Sequence, residues 1–327
     1  MATTPAQSVT YSVEHFYPKH PGHPFAPLMA EYRGLFKEAG LPTSELVVAG
    51  DVDGSIRLLA DGKTSFAMDA HPDMLLEAHA QGADIAIIGS YRNGLPFGLA
   101  ARPGAIPDMH ALRGRRFTTN RHLGVGERTM RATFKKLGFD PDDDMEVVII
   151  PDEGMQEKYQ ALKDGQADYL VYHFNGPQGA QVKDLIAQGE LEQVLDLSTL
   201  FPHYVIRSMA TTGAMVRERP EAVVAFLRGV MQAHLAMKSN EETRLESVEI
   251  LKRALKVDSL DGSGVENGIP MSWFVEPEQI LASVEGVQAH VEELQEAGKL
   301  DLGYSAEQIV RNELAEIALA QVRARSV

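Results

Sequence analysis

The feature that most constrains this chain is a change of hydrophobic period that recurs from residue 9 to about residue 205. Short runs rich in Val, Ile, Phe and Tyr alternate with stretches whose apolar residues fall three and four apart, and glycines punctuate the joins. A chain patterned this way pairs its strands in parallel and lays the intervening helices on the sheet, because consecutive parallel strands need a long crossover. Val9–Phe16, Glu45–Ala49, Ser65–Met68, Asp84–Gly89 and Phe97–Ala101 read as strands; Pro27–Ala39, Val52–Ala60 and Pro72–Ala80 read as the helices between them. Leu28, Met29, Tyr32, Leu35 and Phe36 share one face of the first helix, and Gly40 closes it.

A second unit of the same kind comes next. Its strands are Arg116–Thr119, Glu146–Ile150, Asp168–His173 and Glu192–Leu195; its helices are Gly126–Leu137, Met155–Lys163 and Val182–Ala187. The apolar stretch from Tyr204 to Val216 is expected to carry the chain back to the first sheet. Beyond Arg219 the pattern is helical: Pro220 suits a first turn, and Val223, Phe226, Leu227 and Val230 succeed it at helical spacing. Further helices are expected near Val248–Leu255, Glu278–Ala297 and Ala306–Val322. The resulting division is residues 1–102 for the first part of one lobe, 103–205 for a second lobe, and 206–327 for the return and the C-terminal helices. No internal sequence repeat is visible.

Composition narrows the function classes. Asp and Glu number 46 against 31 Lys and Arg, a net charge of −15, and that field repels phosphate backbones, so nucleic acid is excluded as the expected partner. There is no cysteine, which removes disulfides, thiolate metal sites and a thiol nucleophile. Residues 1–8 lack the basic and apolar regions of an export signal, and no run is apolar enough to span a membrane. Two locations stay open: periplasmic, if an export signal was removed, or cytoplasmic.

Several segments, in order, resemble the NMT1/THI5-like proteins. Phe25-Ala26-Pro27-Leu28 leads into Gly34-Leu35-Phe36-Lys37-Glu38-Ala39-Gly40-Leu41, similar to the opening of that family. Gly54-Ser55 opens a helix, and Leu58 to Ala67 resembles the stretch the family carries next. Leu112 to Phe117, Gln160 to Asp168 and Arg217 to Val223 resemble its later motifs. The resemblance implies an α/β, two-lobed type II periplasmic-binding-protein-like fold with a helical C-terminal region, the ligand held in a cleft between the lobes. It implies the solute-binding component of an ABC importer, with an ABC permease as partner. The alternative is a cytosolic lyase-type enzyme, decarboxylase- or desulfinase-like, built on the same scaffold. The cysteine chemistry known in such enzymes does not transfer to a chain without Cys.

In doubly wound sheets, ligands sit beyond the carboxyl ends of the strands. That rule selects His15, Phe16 and Tyr17 after the first strand, Asp69 and His71 after the third, and Ser90, Tyr91 and Arg92 after the fourth. In the second unit it selects Thr119, Asn120, Arg121, His122 and Gly124 before a helix, and His173 and Asn175 after a strand. The start of the helix near Gly124 and Gly126 suits an anion, since unpaired amides and the dipole point there; the plain alternative is a capped helix with no ligand. The expected ligand is a small carboxylate or sulfonate with an aromatic or heterocyclic body, faced by Phe16, Tyr17, Tyr91, Tyr172 and Phe174 unless these simply pack at strand ends. Eleven histidines are present. His15, His71 and His122 are the catalytic candidates, and His15, His20 and His23 the candidates for a transition metal, although no cofactor is expected and their spacing fits no known metal motif. Asp69 has a second reading as the cap of the helix at Pro72. His79, His110, His234 and His290 fall on helices and are expected at the surface.

Overall fold

The computed structural model describes residues 9–13, 25–41, 44–50, 54–119, 125–150, 155–174, 177–259 and 275–325. The chain forms two compact units, one of residues 1–94 with 203–327 and one of residues 95–202. The first opens with β1 (Val9–Val13), α1 (Phe25–Tyr32), α2 (Leu35–Glu38), β2 (Ser44–Val48), α3 (Gly54–Ala60), β3 (Phe66–Ala70), α4 (Pro72–Ala80) and β4 (Ile85–Asn93). The second holds β5 (Phe97–Ala101), β6 (Arg115–Thr119), α5 (Val125–Lys136), α6 (Pro141–Asp144), β7 (Met145–Ile149), α7 (Met155–Lys163), β8 (Tyr169–His173), α8 (Pro177–Ala187), β9 (Glu192–Asp196) and α9 (Leu197–Leu200). The chain then returns through β10 (Val205–Thr212), α10 (Gly213–Glu218), α11 (Pro220–Ser239), α12 (Glu241–Leu255), α13 (Val284–Glu296) and α14 (Asn312–Arg325).

The sheet of the first unit runs β2-β1-β3-β10-β4, and that of the second β7-β6-β8-β5-β9. In each, three neighbouring strands are parallel and one strand is antiparallel to both of its neighbours. The reversed strand is the first one after the chain crosses from one unit to the other, β5 on entering the second and β10 on returning to the first. The two units therefore repeat a topology that no sequence repeat announces. Within Tyr204 to Val216, β10 (Val205–Thr212) pairs with β3 and β4 of the first sheet, and Gly213 opens α10. Phe97–Ala101 does not stay with the first unit: β5 pairs with β8 and β9, so the second unit begins at residue 95 rather than 103. An apolar run with no polar face fits the interior of either sheet, and its pattern carries no information about which.

Both faces of the first sheet are covered. Phe25, Met29, Phe36, Phe226, Met231, Leu251 and Leu319 pack on one side, and Leu59, Leu75, Leu76, Val287, Val291 and Leu294 on the other. Phe226 anchors the first layer, stacked on Phe66 at 4.0 Å and on Phe36 at 5.1 Å between ring centroids. The close approach of α11 to Phe36 requires Gly229, whose added Cβ would lie 2.4 Å from the Phe36 ring. In the second unit Tyr159, Leu162, Leu170, Tyr172 and Val182 form one layer, and Phe117 stacks on Tyr169 at 5.8 Å.

Three helices expected as single pieces are broken, each by a local cause. Gly34 takes φ +73°, so 27–39 splits into α1 and α2. Ser283 accepts the amide of Gly286 at 3.0 Å and starts α13 afresh after a 3-10 turn at Pro277–Ile280. Residues 309–311 exchange backbone hydrogen bonds with Ile87 of β4, so α14 begins only at Asn312. No described helix is long and apolar enough to cross a membrane.

Candidate functional site

In the first unit, the carboxyl ends of β3 and β4 lie on either side of the amino half of β10. Ser208 of β10 is in register with Ala70 of β3 and with Ser90 of β4. Because β10 runs backwards, its first residues stand at the edge where the parallel strands end. There Arg207 Nε lies 3.3 Å from Asp69 Oδ1, with the two side chains 14% and 2% exposed. Asp69 is thus an ion-pair partner rather than a helix cap; the N-cap of α4 is His71, which makes no side-chain cap bond. His71 is buried, and its Nδ1 stands 4.0 Å from Asp73 Oδ1.

The hydroxyls of this edge divide into two groups. Ser90 donates to the carbonyl of Gln279 at 3.1 Å. Ser208 Oγ, on the same strand as Arg207, is fully buried and has no hydrogen-bond partner among the described residues. The same holds for Ser55 Oγ in the first turn of α3, the helix after β2. A buried hydroxyl without a partner forfeits on the order of 1–3 kcal/mol. Both belong to the first unit, Ser208 on β10 and Ser55 at the start of the helix after β2.

Tyr91 meets the edge of Phe25 at 6.3 Å and packs against the core. Arg92 lies on β4 opposite Arg207. His15, Phe16, Tyr17, His20 and His23 fall outside the described residues.

In the second unit, β6 ends at Thr119, which is buried. Gly126, in the first turn of α5, packs so closely that an added Cβ would lie 2.8 Å from Thr119 Oγ1. The close approach expected of this glycine is therefore to the protein's own β6. The first turn also carries Glu127, buried and held by Arg131 Nε at 3.1 Å, while Arg131 Nη1 reaches Asp142 at 2.6 Å. The hydrogen bond to Asp142 holds the guanidinium above its ordinary range, against the opposing effect of burial. Asn120, Arg121, His122, Gly124 and Asn175 fall outside the described residues.

His173, at the end of β8, presents its ring edge-on to Phe97 at 5.0 Å. Tyr172 is a core residue: it is 2% exposed, donates to Gln193 Oε1 at 3.3 Å, and has its hydroxyl pushed up to about 12, by burial first and then by Asp196. Its ring and that of Phe174 sit over Gly98, where a Cβ would approach within 2.5 Å of Phe174. Tyr172 therefore packs at its strand end and offers no stacking face.

Two histidines expected at the surface are buried. His234 is 1% exposed and meets Phe25 edge-on at 5.5 Å; His290 is 6% exposed, with Nε2 2.7 Å from the carbonyl of Val205. α11 is apolar around most of its circumference, so even His234 faces protein, whereas His290 lies on the buried stripe of α13 with Val287, Val291 and Leu294. Among the described residues no three His, Asp or Glu side chains are grouped so as to hold a metal ion. Sequence reasoning does not single out Arg207, Ser208 or Ser55. The signal for Arg207 is a lone charge inside an otherwise uncharged strand, VIRSMATT.

The sequence model described as NMT1/THI5 like matches residues 24–243. No curated protein matches the chain. Among solved structures, it is similar to a putative periplasmic sulfonate-binding protein SsuA of an ABC transporter from Methylobacillus flagellatus KT, at TM-score 0.66 and 13% identity, covering 97% of this chain and 95% of that one. It is also similar to the periplasmic aliphatic sulphonate-binding protein SsuA from Escherichia coli, at TM-score 0.65 and 12% identity over 94% and 92% of the two chains. A third is the periplasmic nitrate-binding protein NrtA from Synechocystis PCC 6803, at TM-score 0.57 and 16% identity over 97% and 89%. At these identities the likeness shows the periplasmic-binding-protein fold.

Proposed function

Because the chain belongs to the NMT1/THI5-like family, we propose that it captures a small anionic solute reversibly at the carboxyl edge of the first unit's sheet. Arg207 is the cation that reads the anionic head. The observation that carries this reading is the placement of Arg207 on the reversed strand, held by a carboxylate that is only 2% exposed. Asp69 pairs with the guanidinium on its Nε side, and a planar fork matches a carboxylate or sulfonate. Ser208, the next residue on β10, and Ser55, in the first turn of α3, carry buried hydroxyls with no hydrogen-bond partner among the described residues, and these are neutral donors of the same unit. The body of the solute is aromatic or heterocyclic. In this reading the chain is the solute-binding component of an ABC importer, works on the outer side of the cytoplasmic membrane, and hands its solute to a permease. The similar structures that bear sulfonate- and nitrate-binding names support the anion class.

The test is calorimetric titration with a panel of aryl and alkyl sulfonates, aromatic carboxylates and nitrate. A ligand found in the panel should bind at least tenfold more weakly to Arg207→Met, since hydrogen bonds to a charged group contribute about 1.5–3 kcal/mol. Unchanged affinity in Arg207→Met and in Ser208→Ala would remove the site from this edge. Conversion of the bound acid to a product during the titration would replace capture by the lyase-type chemistry.

A further inference from the structure

A second cation in the first unit sits where the proposed solute site has no part. Beside the end of α2, residues of α11 and α14 line an open groove of about 400 Å³, with Pro220, Val224, Ala225, Leu314 and Ile317 around Arg228. The volume lies at the lower end of the range of roughly 300–1,000 Å³ found for small-molecule clefts. Arg228 donates from Nη1 to Gln321 Oε1 at 2.6 Å and from Nη2 to the carbonyl of Glu38 at 3.4 Å. Its Nε is buried and has no hydrogen-bond partner among the described residues. Both of its partners are neutral. Glu221 also lines the groove, yet forms no ion pair with it.

Burial first, and the nearby Arg325 second, push the Arg228 guanidinium below its ordinary range. In a chain with 46 acidic residues, a half-buried arginine that makes no ion pair among the described residues, although Glu221 lines the same groove, is an unusual choice. Its structural use is to cap the carbonyl end of α2, which a single hydrogen bond accomplishes. A largely apolar lining, with Glu221 and Gln321 as its other polar members, beside a cation that makes no ion pair is complementary to an anionic head on an apolar chain.

We infer that the groove between α11 and α14 binds a medium-chain aliphatic carboxylate, the head on Arg228 and the chain along Val224, Leu314 and Ile317.

The probes are octanoate, heptanoate and octan-1-ol, titrated calorimetrically into the full-length protein. Octanoate should bind saturably, about fourfold more tightly than heptanoate, the increment of one buried methylene of ~0.8 kcal/mol. Octan-1-ol should bind at least tenfold more weakly. Arg228→Met should lose octanoate at least tenfold, and so should Ile317→Asp, which places a negative charge at a side chain already 48% exposed and leaves the melting temperature in place. Octanoate should bind equally well in the presence of the solute identified for the Arg207 site. Absence of octanoate binding, equal affinity for octan-1-ol, or equal affinity in Ile317→Asp would each overturn the inference. So would self-association that Ile317→Asp abolishes in a protein indifferent to octanoate, because the groove would then belong to a second copy of the chain.

Discussion

Replacing Arg207 by Met tests whether the buried pair at the sheet edge is a structural necessity as well as a recognition device. The guanidinium and the Asp69 carboxylate approach to 3.3 Å with 14% and 2% of their side chains exposed, which places the pair far from the solvent-screened class. Exposed pairs contribute about 0–1 kcal/mol; stripping one partner from a buried pair costs about 3–5 kcal/mol, because the remaining charge has lost its compensation. The lower end applies here, since Arg207 keeps some contact with solvent. A loss of about 3 kcal/mol lowers the melting temperature of a unit of this size by about 6–12 °C, at roughly 2–4 °C per kcal/mol. Differential scanning calorimetry on the wild type, Asp69→Asn, Arg207→Met and the double variant reads the cycle. Each single variant should be destabilised and the double should recover at least about 2 kcal/mol of the summed loss, the signature of direct coupling. Solute affinity, by contrast, should be lost in Arg207→Met and not return in the double variant. A shift under about 2 °C in Arg207→Met, or single effects that simply add, would refute the argument that this carboxylate depends on that cation.

Gly229→Ala should destabilise the first unit by about 1–3 kcal/mol, the usual cost of overpacking, because its Cβ would meet the Phe36 ring at 2.4 Å; thermal unfolding monitored at the tyrosine band reads it. Gly286→Ala should cost at least as much, since the collision at 1.8 Å is with the backbone carbonyl of His203, which has no rotamer to escape into. Acid should weaken the fold: hydrogen bonding from Arg217 holds Asp84 below the usual carboxylate range, and hydrogen bonds from Arg116 outweigh burial to do the same for Asp168. Their folded pKa values lie below the unfolded one, so the stabilisation is present above about pH 3.9 and disappears as pH falls through the folded values; urea midpoints that rise between pH 5 and pH 3 would contradict this. At a net charge of −15, an anionic solute is repelled at long range, so its association rate should increase from 10 to 150 mM salt as the Debye length shrinks to ~8 Å. A rate that falls with salt would mean that local cations dominate the approach.

Much of the architecture is legible in the sequence because it rests on local chemistry. A proline or an apolar spacing at one end and a glycine beyond the other place Pro72–Ala80 and Met155–Lys163, and both helices have those bounds. Gly34 reads as part of a helix because its neighbours Leu35 and Phe36 continue the apolar face, and only its backbone angle shows that the turn breaks there. The gap before Asn312 is not legible, since Ile309 and Val310 are helix-compatible and leave the helix only to pair with Ile87. His234 and His290 mislead for a related reason: a histidine's polarity argues for the surface, but burial is decided by what the rest of the helix packs against. At the candidate site, the rule about carboxyl ends picks out Asp69, His71 and Ser90, but not Arg207.

The reason Arg207 escapes is also the reason it is well placed. The rule directs attention to the residues just past each parallel strand, where helix starts and loops gather. A reversed strand inverts the rule, because its first residues, not its last, stand at the ligand edge. In the first unit that strand is β10, bonded on both sides, and Ser208 lies in register with the ends of β3 and β4. Arg207 itself is paired with Arg92 of β4, at an irregularity in the register, and the next residue, Ser208, is paired on both sides, so a strand rather than a loop carries the side chain. Its companion Asp69 then settles the charge balance of an otherwise apolar layer, and the pair can stay desolvated until a second anion competes for the fork. Under the proposed function, a strand-borne cation already neutralised by Asp69 would favour selectivity among oxyanions over tight capture of any negative charge.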